Sequence, residues 1–249
     1  IPNFDYLQGY EFSTPTEQER RSWHIPTEAR FASSEEADFV LHSADRVFAC
    51  SKFLQSLPKF KEHRVEVLYP EFAKETITIP PGEETQAKTI TGICGYANKG
   101  IDLFLELGAM FPKEAFSLVG DFGSDIDPRY RAKIQSLPNM HFLGRQETYK
   151  FLAQSQIVLV PSQWPDPFGR IAVEALSNEV PVLVSGNGGR RESVKPHHFV
   201  VENYGDVREW AKKLADLLQM TEASQLSLPS VESFLKSSST RQLESALVE

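Results

Sequence analysis

Several features that mark other classes of protein are scarce in this 249-residue sequence. Its only cysteines are Cys50 and Cys94, whose apolar surroundings predict buried, reduced thiols rather than a disulfide framework. No apolar run approaches the roughly 18 residues that span a bilayer, and the sequence shows no signal segment. The formal net charge of −8 argues against general nucleic-acid binding, which needs a basic face.

Signatures of several enzyme classes are missing as well. The sequence has no Walker loop, no Ser-His-Asp order and no Gly-x-Gly-x-x-Gly after its first strand, which disfavours nicotinamide chemistry. The adjacent His197 and His198 lack a third ligand at metal spacing, so no metal site is predicted. Because the overall charge is negative, an anionic ligand would have to be held by local groups.

The order of predicted elements indicates the fold. From Lys88 onward, runs rich in β-branched residues alternate with segments of helical periodicity, which predicts an α/β fold with a doubly wound, parallel, Rossmann-like sheet. Pro80-Pro81-Gly82 marks a domain boundary. We predict a partial α/β segment over residues 1–75, a linker over 76–88, a Rossmann-like domain over 89–205 and C-terminal helices over 206–249.

The strongest local feature lies between a fully apolar strand and the helix that follows it. Asp166 and Glu174 are eight positions apart, and Pro167-Phe168-Gly169 presents backbone N–H groups at the helix start, where a phosphate binds readily. A carboxylate beside a phosphate would have to accept hydrogen bonds from hydroxyls, which ribose and hexose supply. The segment therefore suits a ligand made of sugar, diphosphate and nucleoside.

This segment resembles the Glu-x7-Glu motif of retaining family-four glycosyltransferases, the glycosyl transferases group 1, with Asp166 in the first Glu position. Other segments resemble further motifs of that family in the family's order. They are Gly95 to Gly100, Val119 to Gly123, Met140 to Arg145, Val180 to Val182 and Gly188 to Glu192, preceded by Ala44 to Ser51 and Val65 to Pro70. The resemblance implies a GT-B donor domain preceded by the end of an acceptor domain.

The resemblance also implies roles for individual residues. Asp166 and Lys99 form the catalytic pair, in which Asp166 binds the donor sugar and Lys99 binds the diphosphate. Glu174 takes the ribose hydroxyls. The donor-binding set is Tyr96, Gly120, Asp121, Gly144, Arg145, Pro167, Phe168, Gly169, Arg170, Ile171 and Glu174. The ring of Phe168 is left open between core packing and a wall for the sugar.

The sequence departs from the family pattern at three points. Asp166 is one methylene shorter than Glu, and Tyr96 stands where the family has an arginine. The missing positive charge could come from Arg145, Arg170, Arg190 or Arg191. The length is too short for two complete doubly wound domains, and the chain begins Ile1-Pro2 without Met, which leaves open whether native residues precede it.

The resemblance implies transfer of a hexose from a nucleoside diphosphate sugar, with retention, to a glycan, lipid-linked or small-molecule acceptor. A UDP-sugar is expected ahead of a GDP- or ADP-sugar. No cofactor or metal is expected, because lysine, arginine and helix dipoles replace it. The expected location is the cytoplasm, with peripheral contact at the inner face of the membrane left open. A non-catalytic nucleotide-sugar-binding subunit, or a degenerate transferase that needs a partner chain, is the main alternative. An epimerase or sugar phosphorylase is a third.

Overall fold

The structure is a computed structural model that describes residues 43–44, 46–61, 63–83, 85, 88–120, 127–194, 199–223 and 226–235. Among the predicted site residues, Asp121 lies outside these ranges. Residues 1–42, which make up most of the predicted N-terminal segment, and the residues from 236 onward also lie outside them.

A small α/β unit opens the described chain. Strand β1 (Val47–Ala49) pairs in parallel with β2 (Val65–Val67), and helix α1 (Lys52–Gln55) lies on the connection between them. Parallel strands need such a crossover because both run in the same direction. The Ser51 hydroxyl accepts a hydrogen bond from the Leu54 N–H at 3.1 Å, so Ser51 caps α1.

A larger unit follows helix α2 (Lys74–Ile77) and alternates strands with helices, as the periodicity predicts. Its first half contains β3 (Thr89–Ile93), α3 (Ile101–Met110), β4 (Phe116–Val119), α4 (Pro128–Ser136), β5 (Met140–Gly144) and α5 (Thr148–Ala153). Its second half contains β6 (Ser155–Val160), α6 (Arg170–Ser177), β7 (Val182–Ser185), α7 (Arg190–Ser193), β8 (Val200–Val201) and α8 (Val207–Glu222).

The strands of the larger unit form one sheet in the order β5-β4-β3-β6-β7-β8, and every pairing is parallel. This order confirms the predicted doubly wound sheet. The chain builds outward from β3 through β4 to β5 and then returns to β6 on the other side of β3. Such a reversal opens a crevice at the carboxyl ends of the two central strands, where ligands of these sheets bind.

The core explains why these segments form these elements. Residues 157–160 of β6 are at most 4% exposed, which fits the central position predicted from their apolar run. Helix α8 packs on the same core through Trp210, which is fully buried and donates from its indole nitrogen to the Tyr204 carbonyl at 2.9 Å. Asp206 caps α8 by accepting from the Arg208 N–H at 2.9 Å.

The connection between the two units is bound to the larger one. Ile77, in the last turn of α2, is 7% exposed and belongs to the main core. The amide of Asn178 donates to the Ile77 carbonyl at 2.6 Å and accepts from the Ile79 N–H at 2.7 Å. Further upstream, Phe72 forms an isolated parallel bridge with Leu235, which brings the C-terminal segment back to the start of this connection.

Candidate functional site

Two loops meet where the sheet order reverses. The loop after β3 contains Asn98, whose carbonyl accepts from the Gln163 N–H at 2.8 Å and the Trp164 N–H at 3.0 Å in the loop after β6. Gly100 has a φ of +84°, and a Cβ at this position would lie 2.1 Å from the Pro161 carbonyl oxygen. Only glycine therefore allows this approach of the two loops.

The predicted catalytic residues come together at this junction. One oxygen of the Asp166 carboxylate, Oδ1, lies 2.5 Å from Lys99 Nζ. The other oxygen, Oδ2, binds the guanidinium of Arg190. Lys99 and Asp166 keep 32% and 21% of their side-chain surface exposed, so both can be reached from solvent. The carboxylate is thus held between an accessible cation and a buried one.

The sequence did not single out Arg190, because it left open which of four arginines supplies the missing positive charge. Its side chain is fully buried, and it donates to the carbonyl of Trp164 at 2.8 Å, the carbonyl of Ser162 at 3.3 Å and the hydroxyl of Ser185 at 2.7 Å. Burial lowers the pKa of Arg190, and the charge of Asp166 opposes that effect. These contacts fix the loop after β6 around the carboxylate.

A third loop, between β7 and α7, closes against the same segment. The Gly189 N–H donates to the Asp166 carbonyl at 2.8 Å. A Cβ on Gly188, whose φ is +75°, would lie 2.4 Å from the Asp166 carbonyl oxygen, and one on Gly189 would lie 1.9 Å from the Pro167 carbonyl oxygen. Both glycines are therefore required by close packing, and Gly188 also by its positive φ.

The start of α6 is arranged as an anion site would require. Gly169 is its N-cap with a φ of +90°, and a Cβ there would lie 2.5 Å from Cγ of Arg190. Gly169 has no side chain that could accept hydrogen bonds from the first N–H groups of α6. The N–H groups of Arg170 and Ile171 therefore lie at a helix end that favours negative charge. Pro167 is half-buried and joins this turn to Asp166.

The ring of Phe168 is buried in the core. It is 3% exposed and contacts the rings of Tyr69, Phe72 and Phe234 with centroid distances of 5.8, 6.5 and 5.2 Å. The sequence left core packing and a sugar wall open for this ring, and the structure places it in the core. Phe168 can contribute only backbone groups to a ligand at the start of α6.

Glu174 lies farther along α6, with 13% of its side chain exposed. Burial raises its pKa, while the charge of Arg170 and a hydrogen bond with Thr148 lower it. The nearest Arg170 nitrogen lies 3.8 Å from its carboxylate, so Arg170 is a neighbour rather than a tight partner. A half-buried carboxylate with spare acceptor capacity suits hydroxyl groups of a ligand.

The remaining predicted residues lie at the ends of β4 and β5 and before the Lys99 turn. Gly144 has a φ of +65°, and its carbonyl accepts from the Gly120 N–H at 3.1 Å, which joins these two strand ends. Arg145 is exposed next to Gly144. Tyr96 is half-buried and is the N-cap of the 3-10 turn that carries Lys99.

A groove of about 600 Å³ opens beside the Lys99 turn. Its walls come from the start of α3, the loop after β6 and the start of α8, with Gly100, Gln163 and Val207 among the lining residues. In the described ranges, no group of three His, Cys, Asp or Glu side chains is placed to hold a metal ion. Across the same ranges, no helix is both long and apolar enough to cross a membrane.

Part of the chain is similar in sequence to a bacterial protein. The chain is 28% identical over 111 residues to an uncharacterized 42.6 kDa protein in the cps region of Klebsiella pneumoniae, a match that covers 44% of this chain and 29% of that protein. The aligned part is thus less than a third of that relative's length.

Two solved structures resemble the chain over more of its length. A glycosyltransferase from Rickettsia africae ESF-5 has a TM-score of 0.69 and 16% identity, and the match covers 88% of this chain and 67% of that one. Anabaena Alr3699/HepE, crystallised with UDP and glucose, has a TM-score of 0.68 and 21% identity, with 86% and 66% covered. These similarities show the GT-B fold.

The strongest link to a family comes from the sequence itself. The family model described as glycosyl transferases group 1 matches residues 95–226, which is more than half of the chain. That span includes Lys99, Asp166, Glu174 and Arg190. The chain therefore belongs to the glycosyl transferases group 1 family.

Proposed function

We propose that this chain carries the donor site of a retaining glycosyltransferase that takes a hexose from a nucleoside diphosphate sugar, with UDP-sugar as the preferred donor. The observation that carries the proposal is the meeting of Lys99, Asp166 and the start of α6 at the reversal of the sheet. Anabaena Alr3699/HepE, which shares the fold, was crystallised with UDP and glucose, which supports a UDP-sugar here.

The proposed roles follow from the chemistry of each group. Lys99 pairs with the diphosphate and stabilises the negative charge that develops on the leaving group. The first N–H groups of α6 share that charge. Asp166 accepts hydrogen bonds from the sugar hydroxyls. Glu174 accepts them from the ribose.

Donor binding then requires one exchange of partners. In the structure, Lys99 Nζ is 2.5 Å from Asp166 Oδ1, so the diphosphate must draw Lys99 towards itself. When Lys99 moves, Asp166 Oδ1 becomes free to accept from the sugar, while Arg190 keeps Oδ2 in place. Arg190 thereby holds the Asp166 carboxylate in position while its Oδ1 is available to the sugar hydroxyls.

The wider organisation is proposed on the same basis. Residues 1–75 form the end of an acceptor-type domain, 76–88 link it to the donor domain at 89–205, and 206–249 provide C-terminal helices. The acceptor is a glycan, a lipid-linked or a small-molecule hydroxyl compound. The protein works on the cytoplasmic side, and a lipid-linked acceptor would bring it to the membrane surface. No metal takes part, because Lys99 and the α6 dipole carry the charge.

Calorimetry with UDP, GDP and ADP tests the donor site. We expect the wild type to bind UDP in preference to the other two, and Glu174→Ala to lose the ribose bonds. Hydrogen bonds to a charged group contribute about 1.5–3 kcal/mol, so UDP should bind roughly 10- to 150-fold more weakly. Glu75→Ala, at an exposed position of α2, is the matched control. If none of the three nucleotides binds the wild type at millimolar concentration, the proposal fails.

A second candidate function is a donor-binding subunit without catalytic activity of its own. Two observations favour it. Both oxygens of Asp166 are bound by cations, and Tyr96 stands where the family has an arginine. Incubation of the chain with UDP-sugars and a panel of acceptor hydroxyl compounds separates the two functions. Transfer or donor hydrolysis supports the enzyme, while tight binding with neither reaction supports the subunit.

A further inference from the structure

Helix α7 has only four residues, yet its side chains reach two separate parts of the molecule. Arg190 points into the loop after β6, where it binds Asp166. Two positions later, the carboxylate of Glu192 accepts from the Lys52 N–H at 2.9 Å and the Phe53 N–H at 2.9 Å in the first turn of α1. One short helix thus holds the donor carboxylate on one side and the small N-terminal unit on the other.

Glu192 has a third partner in the same region. Its Oε2 accepts from the Tyr69 hydroxyl at 2.8 Å, just beyond the end of β2. Burial and this hydrogen bond to Glu192 both raise the pKa of Tyr69, so the hydroxyl stays protonated and continues to donate. Hydrogen bonds to a carboxylate are stronger than those between neutral groups. Two of the three donors lie in α1 and the third follows β2, and Glu192 joins them.

A second connection runs through aromatic rings. The Tyr69 ring lies 5.8 Å from the ring of Phe168, which belongs to the turn that begins α6. The backbone of α7 also approaches the N-terminal unit closely, because a Cβ on Gly189 would lie 3.0 Å from Ser51 Oγ. The N-terminal unit therefore contacts Phe168 directly and lies close to Gly189, whose N–H donates to the Asp166 carbonyl.

We infer that Glu192 and Tyr69 are positioning residues that set the acceptor-side unit against the donor carboxylate through α7. This inference rests on the proposed function, in which the N-terminal unit is the end of the acceptor domain. Neither residue touches Lys99 or Asp166 in the contacts described, so they act through Arg190 and Phe168. Their removal should disturb the alignment of acceptor and donor sugar more than the binding of the donor itself.

Amide hydrogen exchange on the 249-residue chain tests the bridge without any need for activity. In Glu192→Gln, an amide replaces the carboxylate and cannot accept as many hydrogen bonds. We expect the Lys52 and Phe53 amides to exchange about tenfold faster. We also expect faster exchange at the Gly189 amide, which binds the Asp166 carbonyl on the far side of α7. If only the Lys52 and Phe53 amides exchanged faster, Glu192 would be no more than a local cap of α1, which would contradict the inference.

Two further variants keep this test decisive. Tyr69→Phe removes only a hydroxyl and keeps the ring contact with Phe168, so it should fold even if the glutamate variant does not. It should accelerate the same amides to a smaller extent. Glu202→Gln is the control, because Glu202 pairs with Arg191 of the same helix at an exposed position. Exchange at Gly189 should stay unchanged in that control, and an equal acceleration there would overturn the inference.

The kinetics of sugar transfer give the second readout. For Glu192→Gln and Tyr69→Phe, we expect kcat for sugar transfer to fall by about tenfold or more, while the Kd for UDP changes less than about twofold. If kcat falls and the Kd for UDP rises by the same factor, the variant has simply lost folded protein. That outcome would contradict a positioning role. If the wild type binds no nucleotide, the proposed function fails, whereas the exchange experiment still decides whether α7 couples the two units.

Discussion

Arg190 binds the Asp166 carboxylate with none of its own side chain exposed, although Asp166 keeps 21% of its surface in contact with solvent. A buried guanidinium is tolerated only when its charge is paired and its donors are satisfied. Arg190 meets both conditions through Asp166, the Trp164 carbonyl in the loop after β6 and the Ser185 hydroxyl at the end of β7. The pair therefore supports the fold and the proposed donor site together.

Arg190→Gln should consequently lower the free energy of unfolding by about 3 kcal/mol. Breaking a buried pair by removing one partner is destabilising by about 3–5 kcal/mol, and the lower end applies because Asp166 is partly exposed. Urea denaturation measures the change. Arg191→Gln is the control on the same helix, since Arg191 and Glu202 are 43% and 55% exposed and such pairs contribute little. Equal destabilisation by the two variants would contradict a special role for burial.

Lys99→Met should weaken UDP binding by roughly 10- to 150-fold, because a charged hydrogen-bond donor to the diphosphate is lost. Titration calorimetry with UDP and with uridine separates the effects. Uridine lacks phosphate, so its affinity should not change in the variant. A matched control is Lys150→Met, which removes an exposed lysine paired with Glu147. Weaker binding of uridine as well would indicate that Lys99 acts on the whole site rather than on the phosphates.

Glu174→Gln should stabilise the protein near neutral pH and leave it unchanged in acid. Burial raises the pKa of Glu174 above its ordinary value of 4.5, so the folded protein binds this proton more tightly than the unfolded chain does. The stabilisation that comes from proton binding by Glu174 is fully present below pH 4.5. It is lost as the pH rises through the folded-state pKa of Glu174. Denaturant midpoints of the wild type and of Glu174→Gln, measured from below pH 4.5 to neutral pH, check the expectation. A difference that does not vary with pH would contradict it.

Asn139→Ala should lower the free energy of unfolding by about 2 kcal/mol. The Asn139 amide nitrogen lies 3.0, 3.0 and 2.9 Å from the carbonyls of Gly108, Phe111 and Glu114, and so closes the loop between α3 and β4. The amide has two hydrogens, so at most two full bonds of about 1 kcal/mol each are lost. Thermal unfolding measures the effect. Gln135→Ala, at an exposed position of α4, should change stability little.

The meeting of Lys99 and Asp166 could be predicted because each follows one of the two strands that flank the reversal of a doubly wound sheet. Strand and helix order followed from periodicity, since residues 157–160 of β6 are all apolar and α8 carries its cap at Asp206. Such features are local in sequence, and local patterns determine them.

The role of Arg190 could not be read in the same way. Arg190 and Arg191 are neighbours of identical type, yet one is fully buried and the other is 43% exposed. Their difference depends on which way a helix of four residues faces, and α7 is too short to show a periodicity. The orientation of the Phe168 ring likewise depends on Tyr69 and Phe234, which are distant in sequence. Tertiary contacts decide both cases.

The bridge between Phe72 and the C-terminal segment has a practical consequence for experiments with shortened versions of this protein. The Phe72 N–H donates to the Phe234 carbonyl at 3.0 Å, and the Phe234 ring lies 5.2 Å from that of Phe168. Cutting the chain before Val231 would expose the apolar residues that pack behind Phe168 in the turn that begins α6, and would promote self-association. A crystallographer or enzymologist who trims the tail should therefore keep every residue through Leu235.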